Sequence, residues 1–178
     1  MKVHQTWVRW SKLTFSTSNK LPPHLKNFAF VLALVLVSSV AIGQKVNYSG
    51  EWKLDEGKST LGYEFSLAPA SMTVSHTRKT LDIKLVNVFD GQEYVTEQHY
   101  TLNGKEVDNL GFMESVTKST AVVDKKSKAI TIDTKGSAEG MDYTLTQVIS
   151  LKEGNLVVQS EAASDMGELV ETYVFDKL

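Results

Sequence analysis

Two histidines, His76 and His99, are the chain's readiest acid–base groups beyond residue 43, and neither belongs to a catalytic or metal-binding spacing. There is no H-E-x-x-H pair, no cysteine and no histidine doublet to hold zinc. A G-x-S-x-G elbow, a P-loop and a G-x-G-x-x-G turn are all missing, so no cofactor is expected. Asp90, Glu93 and Glu97 bring three carboxylates close in sequence, but without the dense oxygen spacing of a calcium loop, and no metal is expected. No Ser-His-Asp set can be read from the spacing, and both histidines alternate in phase with polar neighbours, which turns them toward solvent.

The more informative residues are polar ones in otherwise apolar phases. Asn87 follows Leu85 and precedes Phe89; Gln98 lies between Thr96 and Tyr100; Gln147 lies between Leu145 and Ile149; Glu171 lies between Leu169 and Tyr173. Burying such a group without a partner costs about 1–3 kcal/mol. Either they bond to one another and to ordered water, with bulges shifting some outward, or they line a cavity. With Phe89, Tyr94, Tyr100, Tyr143 and Tyr173 they compose the lining typical of a small-ligand site, aromatic with a few convergent polar groups. Tyr100, Gln147, Glu171, Tyr173, Gln98 and Asn87 are the candidate ligand-binding residues, and Glu171 decides between the alternatives.

The elements that must position them are strands. Leu81, Ile83 and Leu85 oppose Asp82 and Lys84. Met141, Tyr143, Leu145 and Ile149 oppose Asp142, Thr144 and Thr146, and Leu169, Tyr173 and Phe175 oppose Glu168, Thr172 and Asp176. This period of two, broken by Asp90-Gly91, Asn103-Gly104, 108–111, 124–128, 136–140, 153–155 and 165–167, predicts antiparallel hairpins with one face buried. Short connections favour an all-β, up-and-down barrel of eight to ten strands in a single domain over a Greek-key sandwich. A membrane barrel would need an apolar outer phase, whereas the polar phase here is rich in Asp, Glu, Lys and Thr. Residues 55–70, the longest stretch without a period, are expected to lie near the barrel mouth as a lid.

Residues 28–42 form an uncharged apolar run behind Lys2, Arg9, Lys12, Lys20 and Lys26, and Ala41 and Gly43 are small. The pattern predicts a signal peptide over 1–43, cleavage after Gly43 and a secreted or periplasmic domain over 44–178. Cleavage would leave 14 basic against 21 acidic residues, a balance of −7 rather than the −2 of the whole chain. An acidic surface argues against nucleic acid or anionic lipid as a partner, and no membrane contact is expected once the leader is gone. At 135 residues the domain buries enough surface to fold without disulfides.

Gly50-Glu51-Trp52 at the start of the first strand, with Tyr-Val-Phe-Asp-Lys ending at Lys177, resembles the Gly-x-Trp signature of lipocalins. The longer string Ser-Gly-Glu-Trp-Lys-Leu-Asp-Glu-Gly-Lys-Ser is similar to secreted bacterial lipocalin-like, calycin-type barrels, across 44–178. The resemblance implies that Trp52 plugs one barrel end with Lys177 packed across its ring. It also implies a small apolar or amphipathic ligand in the interior, held without catalysis. A solidly packed structural or interaction barrel of the cell envelope, and less readily a barrel isomerase or hydrolase, stay open as other readings.

Overall fold

Alternating side chains and two-residue turns generate a continuous meander. The computed structural model describes residues 46–63, 65–111, 115–138 and 140–178. The leader expected at 1–43 lies outside the described residues. The strands are β1 (Gly50–Leu54), β2 (Ser71–His76), β3 (Thr80–Phe89), β4 (Gln92–Thr101), β5 (Val107–Leu110), β6 (Val116–Val123), β7 (Ile130–Ala138), β8 (Met141–Lys152), β9 (Asn155–Ser164) and β10 (Gly167–Lys177). They form one antiparallel sheet ordered β4-β3-β2-β1-β10-β9-β8-β7-β6-β5. The result is a nearly closed ten-stranded barrel with no helix among the described residues.

The hairpins follow their turn chemistry. Asp90 and Gly91 have φ of 50° and 75°, and Glu153 and Gly154 have 53° and 89°. Positive φ at both central residues matches the right-handed strand twist and sets the registers Phe89↔Gln92 and Lys152↔Asn155. Two turn expectations are corrected. Residues 108–110 belong to strand β5, because they pair with Lys118, Thr117 and Val116 of β6. Gly136 lies within β7, where the Tyr143 ring across the ladder occupies the space a Cβ would fill, 2.5 Å from that ring.

One barrel end is closed by packing. Tyr48, Trp52, Leu81, Ile130, Leu156 and Phe175 are buried together. Trp52 is 2 % exposed, and its indole N–H donates to the Tyr48 carbonyl at 3.0 Å. The Tyr48 hydroxyl in turn donates to the Lys128 carbonyl at 2.9 Å, which ties the N-terminal stretch to the β6–β7 turn. Trp52 is the register partner of Lys177, whose Nζ stands 5.5 Å from the ring centroid. Gly50 has a φ of 152°, which L side chains rarely adopt, and a Cβ there would also press on Lys177 Cε at 3.0 Å. His76 also belongs to this end: its ring meets Tyr48 edge-on at 5.2 Å and is half-buried, while His99 is exposed as expected.

The sheet opens between β4 and β5, in mid-chain, while β1 and β10 pair directly. No ladder joins β4 to β5 among the described residues. The Asn109 side chain spans the seam instead. Its Oδ1 accepts the His99 N–H at 2.7 Å and its Nδ2 donates to the His99 carbonyl at 3.0 Å. A side-chain amide thereby imitates one residue of a missing strand, satisfying both edge groups of His99.

Candidate functional site

The inward phases of β6 to β10 carry a polar wall in a mostly apolar barrel, to which β5 adds buried Asn109 and β4 adds half-buried Gln98. Register aligns Ile132, Gln147, Ser160 and Glu171 as one row across four neighbouring strands. On the next row the Ser119 and Thr134 hydroxyls are 2.9 Å apart and buried. Glu171 is 2 % exposed and has a full set of donors. Its Oε1 accepts the Gly62 N–H at 2.8 Å; its Oε2 accepts the Leu67 N–H at 3.0 Å and the Tyr173 hydroxyl at 2.7 Å. Burial pushes this carboxyl up, but the Gly62 and Leu67 amides and the Ser66 and Tyr173 hydroxyls together hold it below the usual carboxylate range. The Tyr173 phenol is raised by burial, a Ser160 contact pulls it partway down, and the charge of Glu171 adds to the rise.

The segment over this wall is tied rather than loose. Beyond Leu54 the chain turns and resumes pairing along β10: Thr60 and Thr172 exchange both backbone bonds, at 2.8 and 2.9 Å, and the Ser59 hydroxyl accepts the Val174 N–H at 2.9 Å. The Gly62 and Leu67 amides then reach Glu171, and the Ala70 N–H joins the Val86 carbonyl at 2.8 Å to lead into β2. Gly62 has no room for a side chain, since a Cβ would lie 2.1 Å from the Phe65 carbonyl oxygen and 3.0 Å from Leu169 Cδ1. The segment expected as a lid is a strap latched to Glu171, with Tyr63 and Phe65 exposed.

The candidate residues divide into three groups. Glu171 and Tyr173 touch, and Gln147 joins them through the Ser160 position. Tyr100 and Gln98 form a separate pair on β4, the buried phenol donating to Gln98 Oε1 at 2.7 Å; burial raises the Tyr100 phenol as well. Asn87 stands apart, half-buried opposite Tyr94 in the outer half of the β3–β4 hairpin. Of the aromatic residues expected around a pocket, Tyr100 and Tyr173 are buried and Tyr143 is half-buried. Phe89 and Tyr94 are corrected: they are 61 % and 43 % exposed, because the β3–β4 hairpin runs past the barrel and its tip has no facing strand. The Gly62 and Leu67 amides are the partners that sequence reasoning missed. The available signal was a lone carboxylate in an apolar phase beside a long irregular segment, whose backbone N–H groups have no ladder to join.

Two surface concavities lie elsewhere. One, of about 520 Å³, covers the β4–β5 seam between Asp82, Lys84, Glu97, His99 and Asp108. The other, of about 440 Å³, lies against Lys118, Lys135, Asp142 and Tyr143. The first is also lined by the candidate residue Gln98, and neither includes Tyr100, Gln147, Glu171 or Tyr173. In the first, register aligns Ser75, Asp82 and His99, with a short contact between Asp82 and His99 Nδ1. The carboxylate stands between serine and imidazole, the reverse of the order that would let histidine take the serine proton. No group of three metal-binding side chains forms among the described residues.

Comparison with solved structures places this geometry in context. Zebrafish ileal bile acid-binding protein, crystallised with cholic acid, matches with a TM-score of 0.51 and 15 % identity, over 74 % of this chain and 98 % of that one. The likeness is one of fold. Fatty-acid-binding protein 1 of Echinococcus granulosus aligns over 71 % of this chain and 96 % of its own, at 12 % identity and a TM-score of 0.45. No protein-family model and no curated protein sequence matches the chain. The shared feature is the fold, an all-β antiparallel barrel of the kind that the Gly-x-Trp resemblance implied.

Proposed function

We propose that the protein is an exported, non-enzymatic barrel that binds a small apolar or amphipathic molecule in its interior. One observation carries the reading: a polar wall of buried Ser119, Thr134, Ser160, Glu171 and Tyr173 with half-buried Gln147 faces a mostly apolar remainder, and a strap is fastened to it by a carboxylate. Keeping an ionisable group inside is expensive unless it is fully bonded, and a barrel filled for stability alone does better with aliphatic side chains. An amphipathic guest needs such a division between a polar wall and an apolar chamber. The bile acid-binding protein of like fold, crystallised with cholic acid, supports the view that this architecture can enclose a molecule of that kind. Gln147, Ser160, Glu171 and Tyr173 would meet the polar end, with Tyr100 and Gln98 across the chamber. Asn87 would lie near the mouth.

A packed interaction barrel is the second reading, favoured by the fact that both Glu171 oxygens are already taken by the strap and Tyr173. Titration with an environment-sensitive apolar dye separates the two. Saturable one-to-one binding that is weakened when Ser160→Phe fills the wall supports an interior site. Absence of saturable binding, or binding indifferent to Ser160→Phe, supports the packed barrel.

A further inference from the structure

We infer that the interior site takes ligands whose polar end is neutral or cationic and donates hydrogen bonds, such as an amine, amide or hydroxyl, and rejects carboxylates. This rests on the reading of the barrel interior as a binding site and names the ligand class for it. The first support is charge. Among the described residues the buried set contains one ionised carboxylate, Glu171, and no lysine, arginine or histidine. Lys53, Lys84, Lys118 and Lys135 are exposed in the outward phases of their strands. Lys177 serves the closed end, over the Trp52 ring. An anionic head drawn toward the polar wall would thus meet a like charge with no counter-ion in a poorly solvated space.

The second support is hydrogen-bond polarity. Glu171 acts as an acceptor, filled in this structure by the Gly62 and Leu67 N–H groups and by the Tyr173 and Ser66 hydroxyls. A ligand head that takes the place of the strap has to bring donors. An ammonium supplies three and an alcohol one, whereas a carboxylate supplies none. The remaining groups of the row, Ser160 and Gln147, can donate or accept and so impose no opposing preference. Exchange of the Gly62 and Leu67 amides for a ligand's N–H or O–H would also release the strap on loading.

The test is a head-group series on one chain length: decylamine, decanol and decanoate, titrated into the full-length protein by calorimetry at neutral pH. Decylamine and decanol are expected to bind at least about tenfold more tightly than decanoate. Glu171→Gln is expected to erase the advantage of the amine. Because that variant also loosens the strap, Gln147→Lys provides an independent arm, placing a cation in the same row and raising decanoate affinity by about tenfold or more. Decanoate binding as tightly as decanol to the unaltered protein overturns the charge selection while leaving the binding barrel intact. Failure of all three, together with failure to bind a neutral apolar dye, overturns both.

Discussion

Replacing Glu171 by glutamine keeps the shape of the side chain and removes its charge and one acceptor. The amide NH2 must then face either the Gly62 N–H or the Leu67 N–H with the Tyr173 hydroxyl. A buried donor left facing a donor costs about 1–3 kcal/mol, and bonds to a charged acceptor are worth about 1.5–3 kcal/mol each. Relief of carboxylate desolvation returns part of this, so a net loss of about 2–3 kcal/mol is expected for opening of the strap. Amide hydrogen exchange at Gly62 and Leu67 reads it directly: protection at those two amides should fall by about thirtyfold or more, and far less at buried β7 and β9 amides. Acid should act in the same direction. The folded carboxyl lies below its ordinary value, so the stability it contributes is complete above the unfolded-state range near about 4.3 and fades as pH falls through the lower folded value. The unaltered protein should therefore lose strap protection in that acid window, and Glu171→Gln should not respond. Glutamine-variant amides as protected as those of the parent, or a parent strap indifferent to acid, would refute the latch.

Four further outcomes are expected. Trp52→Ala should lower unfolding stability in urea by about 3–5 kcal/mol, and Lys177→Ala by about 0.5–1 kcal/mol because that lysine is exposed. Asn109→Ala should remove both bonds to His99 and speed exchange of the His99 amide, at a cost of about 1–3 kcal/mol to the seam; an unchanged amide would mean that the side chain is not the staple. Gly62→Ala should destabilise by about 1–3 kcal/mol, with NMR shift changes concentrated at residues 60–67 and Leu169, since the new methyl meets a backbone oxygen. N-terminal sequencing of the exported protein should begin at Gln44, and retention of residues 1–43 would end the export proposal.

Legibility followed the physics of each feature. The strands were readable because alternation with period two is a local signal, and the turns because Asp-Gly supplies positive φ within two residues. Trp52 and Lys177 were readable as a pair because Gly50-Glu51-Trp52 resembles the lipocalin signature, which implies a basic residue near the end of the last strand against the indole. Glu171 was placed inside correctly, since Leu169 and Tyr173 bracket it in the same phase. Its donors were not readable, because the Gly62 and Leu67 amides belong to the backbone, and any residue supplies those. Asn109 was hidden for a related reason: within Asp-Asn-Leu-Gly it carries the composition of a turn, and its role at the seam arises from His99, ten residues earlier on β4. Phe89 misled because alternation sets its phase but says nothing of where the barrel wall stops.

The most direct measurement of whether this barrel is a carrier is native mass spectrometry of the protein purified from its own host under gentle conditions. The expected spectrum shows a second species, heavier by one small molecule, which disappears on mild activation and is absent in a variant whose wall is filled by Ser160→Phe. A single unliganded mass, with no small molecule released on denaturation, would contradict an interior binding function.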